Sequence, residues 1–162
     1  KLIVEWFEKV ILHFEDLKVE RNLGAKQSAN FLVGEVFALL KKKGEEFKGD
    51  AISTLNFAKI IKKLLDNKIS GSTVKLILAK YIDGEKLDVD EYVLKNDLEQ
   101  ISDEEVIKRA VEEVIQNSPK IVEDYKNGKI VAKSSLVGKV MGVFKGRANP
   151  QVIDKMLDLL LK

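Results

Sequence analysis

Apolar residues recur at helical spacing along almost the whole chain. Residues 2–14, 26–43 and 54–67 each place apolar side chains three or four positions apart. Such spacing gathers these side chains on one face of an amphipathic helix. No strand-like alternation of apolar and polar residues exceeds five positions. The pattern therefore predicts an all-α protein.

The predicted inward positions follow from the same spacing. In the first of these helices they are Ile3, Phe7, Val10, Ile11 and Phe14, and in the second they are Ala29, Leu32, Val33, Val36, Phe37 and Leu40. Gly44 ends the second helix, because glycine adopts the left-handed conformation found after helix C-termini.

A fourth helix is expected to begin near Ser70 or Ser72, either of which can cap its free N–H groups. It should end at Gly84. Residues 84–101 are weaker in pattern and acidic, with one short helix before Asn96. We expect a domain boundary here, which divides the chain into a helical domain, residues 1–97, and a small tail domain, residues 98–162.

The second half opens with a helix start signal. Ser102 is followed three positions later by Glu105, which predicts a capping box with Ser102 as the N-cap of a helix reaching Asn117. Further helices are predicted from Pro119 to Gly128, over residues 130–145, and from Asn149-Pro150 onward. The inward positions expected in the first of these helices are Val106, Ile107, Ala110, Val111, Val114 and Ile115.

Charge is nearly balanced overall, at +2, but it is not evenly distributed. Residues 98–125 carry three basic and eight acidic side chains, whereas residues 126–147 carry six basic side chains and no acidic one. A basic block within a neutral chain suggests a contact for phosphates or another anionic surface. A solvated lysine-rich face is the alternative, and composition alone does not choose between them.

The helix predicted over residues 130–145 has two different faces. Leu136, Val137, Val140, Met141, Val143 and Phe144 fall on one side, and Ser134, Ser135, Gly138 and Gly142 on the other. Each glycine inside a helix costs about 1 kcal/mol relative to alanine. Small residues let another backbone approach closely. Either a neighbouring helix packs against Gly138 and Gly142, or the face is flat and admits a sugar-phosphate backbone.

A second candidate feature is the turn that runs from Lys145 to Pro150. It presents Lys145 and Arg147 beside the start of the last helix, where free N–H groups would favour an anion. Contacts of this kind position a phosphate without reading bases.

Residues for independent catalysis are scarce. The single histidine, His13, lies beside an apolar stripe and is expected to be half-buried and hydrogen-bonded, and there is no cysteine. Phosphate-binding glycine loops are absent. We therefore expect no catalytic, cofactor or metal site in the chain. No run of about 18 apolar residues predicts a membrane span, and the absence of an initial Met suggests a fragment of a longer protein.

Four segments of the second half occur in a characteristic order, at residues 101–105, 122–129, 136–142 and 145–150. Their order and spacing resemble the tail domain of the B subunit of the glutamine-dependent Asp/Glu-tRNA amidotransferase, which YqeY proteins share. Residues 29–35 and 69–72 resemble the helical domain that joins this tail to the catalytic cradle in that family. The resemblance covers about residues 20–162.

The resemblance implies a role in repair of misacylated tRNA. In this family the B subunit uses ATP and magnesium to activate Glu-tRNA(Gln) or Asp-tRNA(Asn), and ammonia released from glutamine by the amidase A subunit then displaces phosphate. The heterotrimer also contains a small C subunit. The cradle that would bind ATP and magnesium lies outside this chain, so this part would hold the tRNA at its elbow. A bacterial cytosol is the expected location, with the mitochondrial matrix as the alternative.

The candidate tRNA contacts come from the basic block and the turn that follows it. They are Lys126, Lys129, Lys133, Lys139, Lys145, Arg147 and Asn149. Two alternatives remain open, namely a module that docks against the partner subunits or a synthetase, and the similar tail of the archaeal E subunit.

Overall fold

The computed structural model describes residues 1–162 and contains nine helices and no β-strand. Its one extended pairing is an isolated parallel bridge between Ile101 and Ala148. The all-α prediction is therefore confirmed. The chain forms two compact units, Lys1–Glu99 and Gln100–Lys162, each with its own hydrophobic core.

Five helices form the first unit and four form the second. In the first unit they are α1 (Leu2–Asp16), α2 (residues 21–43), α3 (Thr54–Leu65), α4 (Gly71–Ile82) and α5 (Val89–Lys95). In the second unit they are α6 (Glu104–Gln116), α7 (Pro119–Lys126), α8 (Ile130–Val143) and α9 (Pro150–Leu160).

The core of the first unit is centred on α1 and α3. Trp6, Val10 and Phe14 follow one another at steps of four on α1 and are buried against α3. Phe57 of α3 meets the Trp6 ring edge to face, with 5.1 Å between ring centroids. His13 is half-buried, and its Nε2 lies 3.1 Å from the Thr54 hydroxyl, as the sequence predicts for a hydrogen-bonded imidazole.

Helix α2 departs from the prediction at its start and in its middle. It begins at Arg21 and not near residue 26, because the Glu20 side chain caps it by accepting from the N–H groups of Asn22 and Leu23. Its central segment, Leu32–Val36, is π-helical. The row of buried residues in α2 consists of Gly24, Ser28, Leu32, Val36 and Leu40.

The strict step of four along this row explains one error in the predicted core. An ideal α-helix has 3.6 residues per turn, so repeated steps of four drift around the helix. The wider π-helical turn cancels this drift and keeps Leu32 and Val36 facing inward. Val33, predicted to be inward, is instead 64% exposed.

The second unit packs α6, α8 and α9 around a common core. The fully buried side chains at its centre are Ile107, Val111, Leu136, Val140, Ile153 and Leu157. Val106 was predicted to face inward, and this prediction is wrong. The residue lies in the first turn of α6, beside the buried face of that helix, and is 47% exposed.

The capping residues also need one correction. Ser70 is the N-cap of α4, one of the two predicted choices. For α6, however, the cap is Asp103, whose Oδ1 accepts from the Val106 N–H at 3.0 Å, so the capping box on Ser102 is wrong. Ser102 follows Ile101 in the extended segment that bridges to Ala148, so the helix begins one residue later than expected.

Candidate nucleic-acid interface

The small-residue face of α8 is open. Gly138 and Gly142 are both exposed, and a Cβ added at either would meet no atom within 4 Å. Ser134 and Ser135 on the same side are exposed as well. No helix of the second unit packs against the two glycines, so that explanation for them is excluded within this unit.

The apolar side of α8 is buried as expected in its middle and not at its ends. Leu136 and Val140 are fully buried. Val143 is 56% exposed, contrary to prediction, because it is the last residue of the helix. At the other end Ile130 and Val131 are 85% and 76% exposed. Apolar side chains are therefore exposed at both ends of α8.

Two of the candidate lysines are engaged within the chain. Lys129 Nζ lies 2.7 Å from the Asp124 carboxylate. Lys133 Nζ lies 2.8 Å from Asp154 and 2.7 Å from Asp158, both on α9. Hydrogen bonds to Asp154 and then to Asp158 raise the pKa of Lys133 above its ordinary value. These carboxylates partly neutralise the basic block that the sequence suggests.

The charges of three other candidate lysines are not neutralised by a neighbouring carboxylate. Lys126, Lys139 and Lys145 are exposed and form no ion pair within the chain. Lys139 lies one position after Gly138 on α8, and Lys145 follows the helix end by two residues. The free cations of the block therefore lie on the same helix as the open glycines or just beyond its ends. Arg147 is half-buried and interacts within the chain, so it does not belong to this group.

The turn after α8 has a well-defined backbone. Lys145 and Gly146 both adopt left-handed conformations, with φ of 52° and 79°. The N–H of Gly146 donates to the Met141 carbonyl at 2.9 Å, and the Arg147 carbonyl accepts from the Ile101 N–H at 2.8 Å. These bonds hold the turn between the end of α8 and the bridge to Ile101, and they hold Lys145 at its exposed corner.

The start of α9 offers no free donor, contrary to prediction. Pro150 has no N–H, and the Gln151 N–H donates to the Asn149 side-chain oxygen at 3.0 Å. The N–H groups of Val152 and Ile153 both donate to the Asn149 carbonyl at 3.1 Å. Asn149 itself is buried and acts as the N-cap. An anion at this turn would meet side-chain cations and not helix amides.

Sequence reasoning missed the acidic partners of the basic block. Asp154 and Asp158 stand one helical turn apart on α9, and that spacing is visible in the sequence. Their pairing with Lys133 depends on how α8 packs against α9. The role of the candidate residues in RNA binding remains a prediction.

Two features are absent from the structure. No group of three or more His, Asp or Glu side chains is arranged to hold a metal ion. None of the helices combines the length and hydropathy needed to cross a bilayer.

Fold and surface together define a class: an all-α protein of two helical units, the second of which carries an open, small-residue helix face bordered by free lysines. The chain belongs to the GatB domain family, which matches residues 12–161. This confirms the resemblance seen in the sequence.

Curated relatives match nearly the whole chain. The B subunit of the aspartyl/glutamyl-tRNA(Asn/Gln) amidotransferase of Lactobacillus delbrueckii subsp. bulgaricus is 38% identical over 144 residues, which is 89% of this chain and 30% of that protein. The protein of the same name from Caldicellulosiruptor bescii is 37% identical over 161 residues, covering 97% of this chain and 32% of the relative. That of Coxiella burnetii is 32% identical over 154 residues, covering 95% and 31%. The chain thus spans about three tenths of the length of these relatives.

Proposed function

We propose that the protein is part of the B subunit of an Asp/Glu-tRNA amidotransferase and that its second unit binds tRNA through one surface of α8. This α8 surface comprises the open residues Ser134, Ser135, Gly138 and Gly142 together with the free cations Lys126, Lys139 and Lys145. The observation that carries the proposal is the empty space above Gly138 and Gly142, bordered by uncompensated lysines.

This surface suits an RNA backbone for two physical reasons. Without side chains at Gly138 and Gly142, a sugar-phosphate chain can approach the helix closely. Lysines beside that space attract phosphates, and the counterions they release add to affinity. Duplex RNA hides its bases in a deep, narrow major groove, so such a surface would recognise shape and backbone and not sequence.

The wider activity that we propose is the one that the family resemblance implies. In that activity, Glu-tRNA(Gln) becomes Gln-tRNA(Gln), or Asp-tRNA(Asn) becomes Asn-tRNA(Asn), with ATP and with ammonia derived from glutamine. ATP and magnesium would bind in a cradle outside this chain, and the small C subunit together with the amidase A subunit would complete the enzyme. The role of this chain is affinity and orientation, with no catalytic residue of its own. The bacterial relatives favour a bacterial cytosol, and their name favours the B subunit over the archaeal E subunit.

The decisive experiment reverses the two free charges beside the glycines. We expect K139E/K145E to weaken tRNA binding by tenfold or more in low salt and to make the dependence of log affinity on log salt shallower by about two units. Circular dichroism should remain unchanged, because neither lysine forms an ion pair in the fold. Fluorescence anisotropy of a labelled tRNA over a salt series measures both effects.

The matched control is K108E/K120E, which changes net charge by the same amount on α6 and α7. It should retain most of the affinity and the original salt slope. Equal losses in the two double variants would mean that net charge alone governs binding, and unchanged binding in K139E/K145E would exclude the α8 surface.

A docking module for a partner protein is the second candidate, and the exposure of Ile130 and Val131 favours it. An apolar contact there should depend little on salt. I130S/V131S would then abolish assembly with the partner subunits while K139E/K145E leaves it intact. The two candidates therefore predict opposite sensitivities for the two pairs of substitutions.

A further inference from the structure

The ion cluster between α8 and α9 contains one lysine of the basic block. Lys133 Nζ lies 2.8 Å from an oxygen of Asp154 and 2.7 Å from an oxygen of Asp158. Two carboxylates share one ammonium, so the cluster carries one negative charge in excess. The positive charge of Lys133 is therefore more than offset by the protein's own side chains.

This cluster lies at the surface of the second unit. The side chains of Asp154 and Asp158 are 54% and 52% exposed, and that of Lys133 is 25% exposed. Ion pairs with this much solvent contact contribute little net stability, because water solvates the separated charges almost as well. Replacing one carboxylate at Lys133 by another anion would therefore cost the fold little.

Lys133 is placed at the edge of the α8 surface. It directly precedes Ser134, a residue of that surface, and consecutive residues of a helix point about 100° apart. The lysine side chain has a flexible four-carbon stem and three rotatable donors. A phosphate chain that lies along Ser134 and Gly138 would therefore pass beside this ammonium.

The two aspartates and an RNA backbone offer Lys133 the same kind of partner. Carboxylate and phosphate oxygens are both anionic acceptors, and both bind an ammonium at about 2.7–2.9 Å. A phosphate that binds Lys133 must displace at least one of the aspartates. The displaced carboxylate then remains close to the phosphate and repels it.

We propose that Asp154 and Asp158 form an autoinhibitory contact, in which they compete with RNA phosphates for Lys133 and so lower the affinity of the second unit for RNA. This inference rests on the proposed binding of tRNA by the α8 surface. The aspartates limit how tightly the surface holds its RNA, and the complex therefore dissociates faster than it would with the full basic block.

The experiment removes the two competing charges from the 162-residue chain. We expect D154N/D158N to bind a labelled tRNA about fivefold more tightly than the parent in low salt, as measured by fluorescence anisotropy. The dependence of log affinity on log salt should become steeper by about one unit. In the parent, displaced carboxylates take up cations and cancel the counterions that the phosphate releases, and the amide variant has no such uptake.

A double-mutant cycle separates competition for Lys133 from a general effect of charge. Removing the aspartates in the K133M background changes the net charge equally but leaves no lysine to release. We expect K133M/D154N/D158N to bind tRNA no more than about twofold more tightly than K133M. The matched control is E112Q/E113Q, which makes the same charge change on exposed residues of α6 and should bind like the parent.

Lysine ammonium resonances provide a measurement on the unaltered protein. The hydrogen-bonded Lys133 ammonium should give a slowly exchanging signal, which K133M identifies by its absence. Saturating tRNA should shift this signal in the parent, because a phosphate replaces a carboxylate. An unshifted signal would mean that Lys133 stays with its aspartates, and it would overturn the proposal even if the amide variant failed to fold.

The binding data have three outcomes against the proposal. Unchanged affinity in D154N/D158N, together with weakened binding in K139E/K145E, would overturn the autoinhibitory contact and leave the α8 surface in place. Equal gains in the parent and K133M backgrounds, or an equal gain in E112Q/E113Q, would mean that the aspartates act through net charge alone. Unchanged binding in K139E/K145E would remove the α8 surface and this inference with it.

Discussion

Single glycines in this fold have opposite surroundings, although each lies within a helix. Gly24 is buried, and a Cβ there would lie 2.7 and 2.8 Å from two atoms of the Phe14 ring. Phe14 is itself 1% exposed and has no room to move away. Gly138 has no atom within 4 Å of the same position. The first glycine is therefore required by packing, and the second is not required by the fold.

Alanine substitutions should separate these two cases. Gly138→Ala is expected to raise the free energy of unfolding by about 0.5–1 kcal/mol, because alanine has the higher helix propensity. Gly24→Ala should lower it by about 1–3 kcal/mol through overpacking against Phe14. Urea denaturation followed by circular dichroism measures both, and a change of the same sign in the two variants would contradict this interpretation.

Residue-level prediction succeeded where neighbours in sequence decide the outcome. Asn149 caps α9 as its position before Pro150 indicates, and His13 is hydrogen-bonded as expected. The choice between Ser102 and Asp103 as cap of α6 depends on the bridge between Ile101 and Ala148. That bridge joins residues 47 positions apart, so no local pattern reveals it.

Helices α8 and α9 are joined by one partly buried ion cluster. The Lys133 side chain is 25% exposed and contacts carboxylates at both Asp154 and Asp158. Its pKa is raised by these two hydrogen bonds. The ammonium therefore stabilises the folded state below its unfolded pKa, near 10.5, and this contribution is lost as pH rises through the higher folded pKa.

Lys133→Met should reveal this contribution. At pH 8 the variant is expected to be less stable than the parent by about 1 kcal/mol, within the range of well-paired surface charges. The difference should shrink at pH values above about 11, where the unfolded chain has lost the proton that the folded parent still holds. Lys155→Met is the control, because it breaks a more exposed pair with Glu104. A difference that stays constant with pH would argue against the ion cluster.

The middle of α2 shows what the spacing of apolar residues cannot predict, namely the type of helical turn. Steps of three and four indicate a helix correctly, and every helix predicted from them is present. They do not distinguish an α-helical turn from a π-helical one, since each leaves apolar residues four apart. Val33 is consequently assigned to the wrong face, and only the buried row through Leu32 and Val36 reveals the wider turn.

At the scale of the whole molecule, each unit contains a complete core. The second unit buries side chains from α6, α8 and α9 against one another, and the bridge from Ile101 to Ala148 ties its first residues to the turn before its last helix. The fold class and the family followed from the sequence. The charge of the basic block did not, because three aspartates outside it pair with Lys129 and Lys133.

The second unit should therefore fold and act alone. A fragment of residues 100–162 is expected to be helical and to unfold cooperatively, although at only 63 residues its stability will be modest. It should retain the salt-dependent part of tRNA affinity, which the first unit would not show. Thermal unfolding and anisotropy titrations check both statements, and an unfolded fragment would contradict the separate core.

The occupied amides at the start of α9 limit what the α8 surface can recognise. Pro150 lacks an N–H, and the next three N–H groups donate to Asn149. No backbone donor is therefore available there for a single bound anion. Lysines spread over the end of α7, α8 and the turn after α8 would instead respond to phosphates repeated at the spacing of a polymer. Inorganic phosphate and free nucleotides, which are abundant in cells, would then compete poorly with RNA.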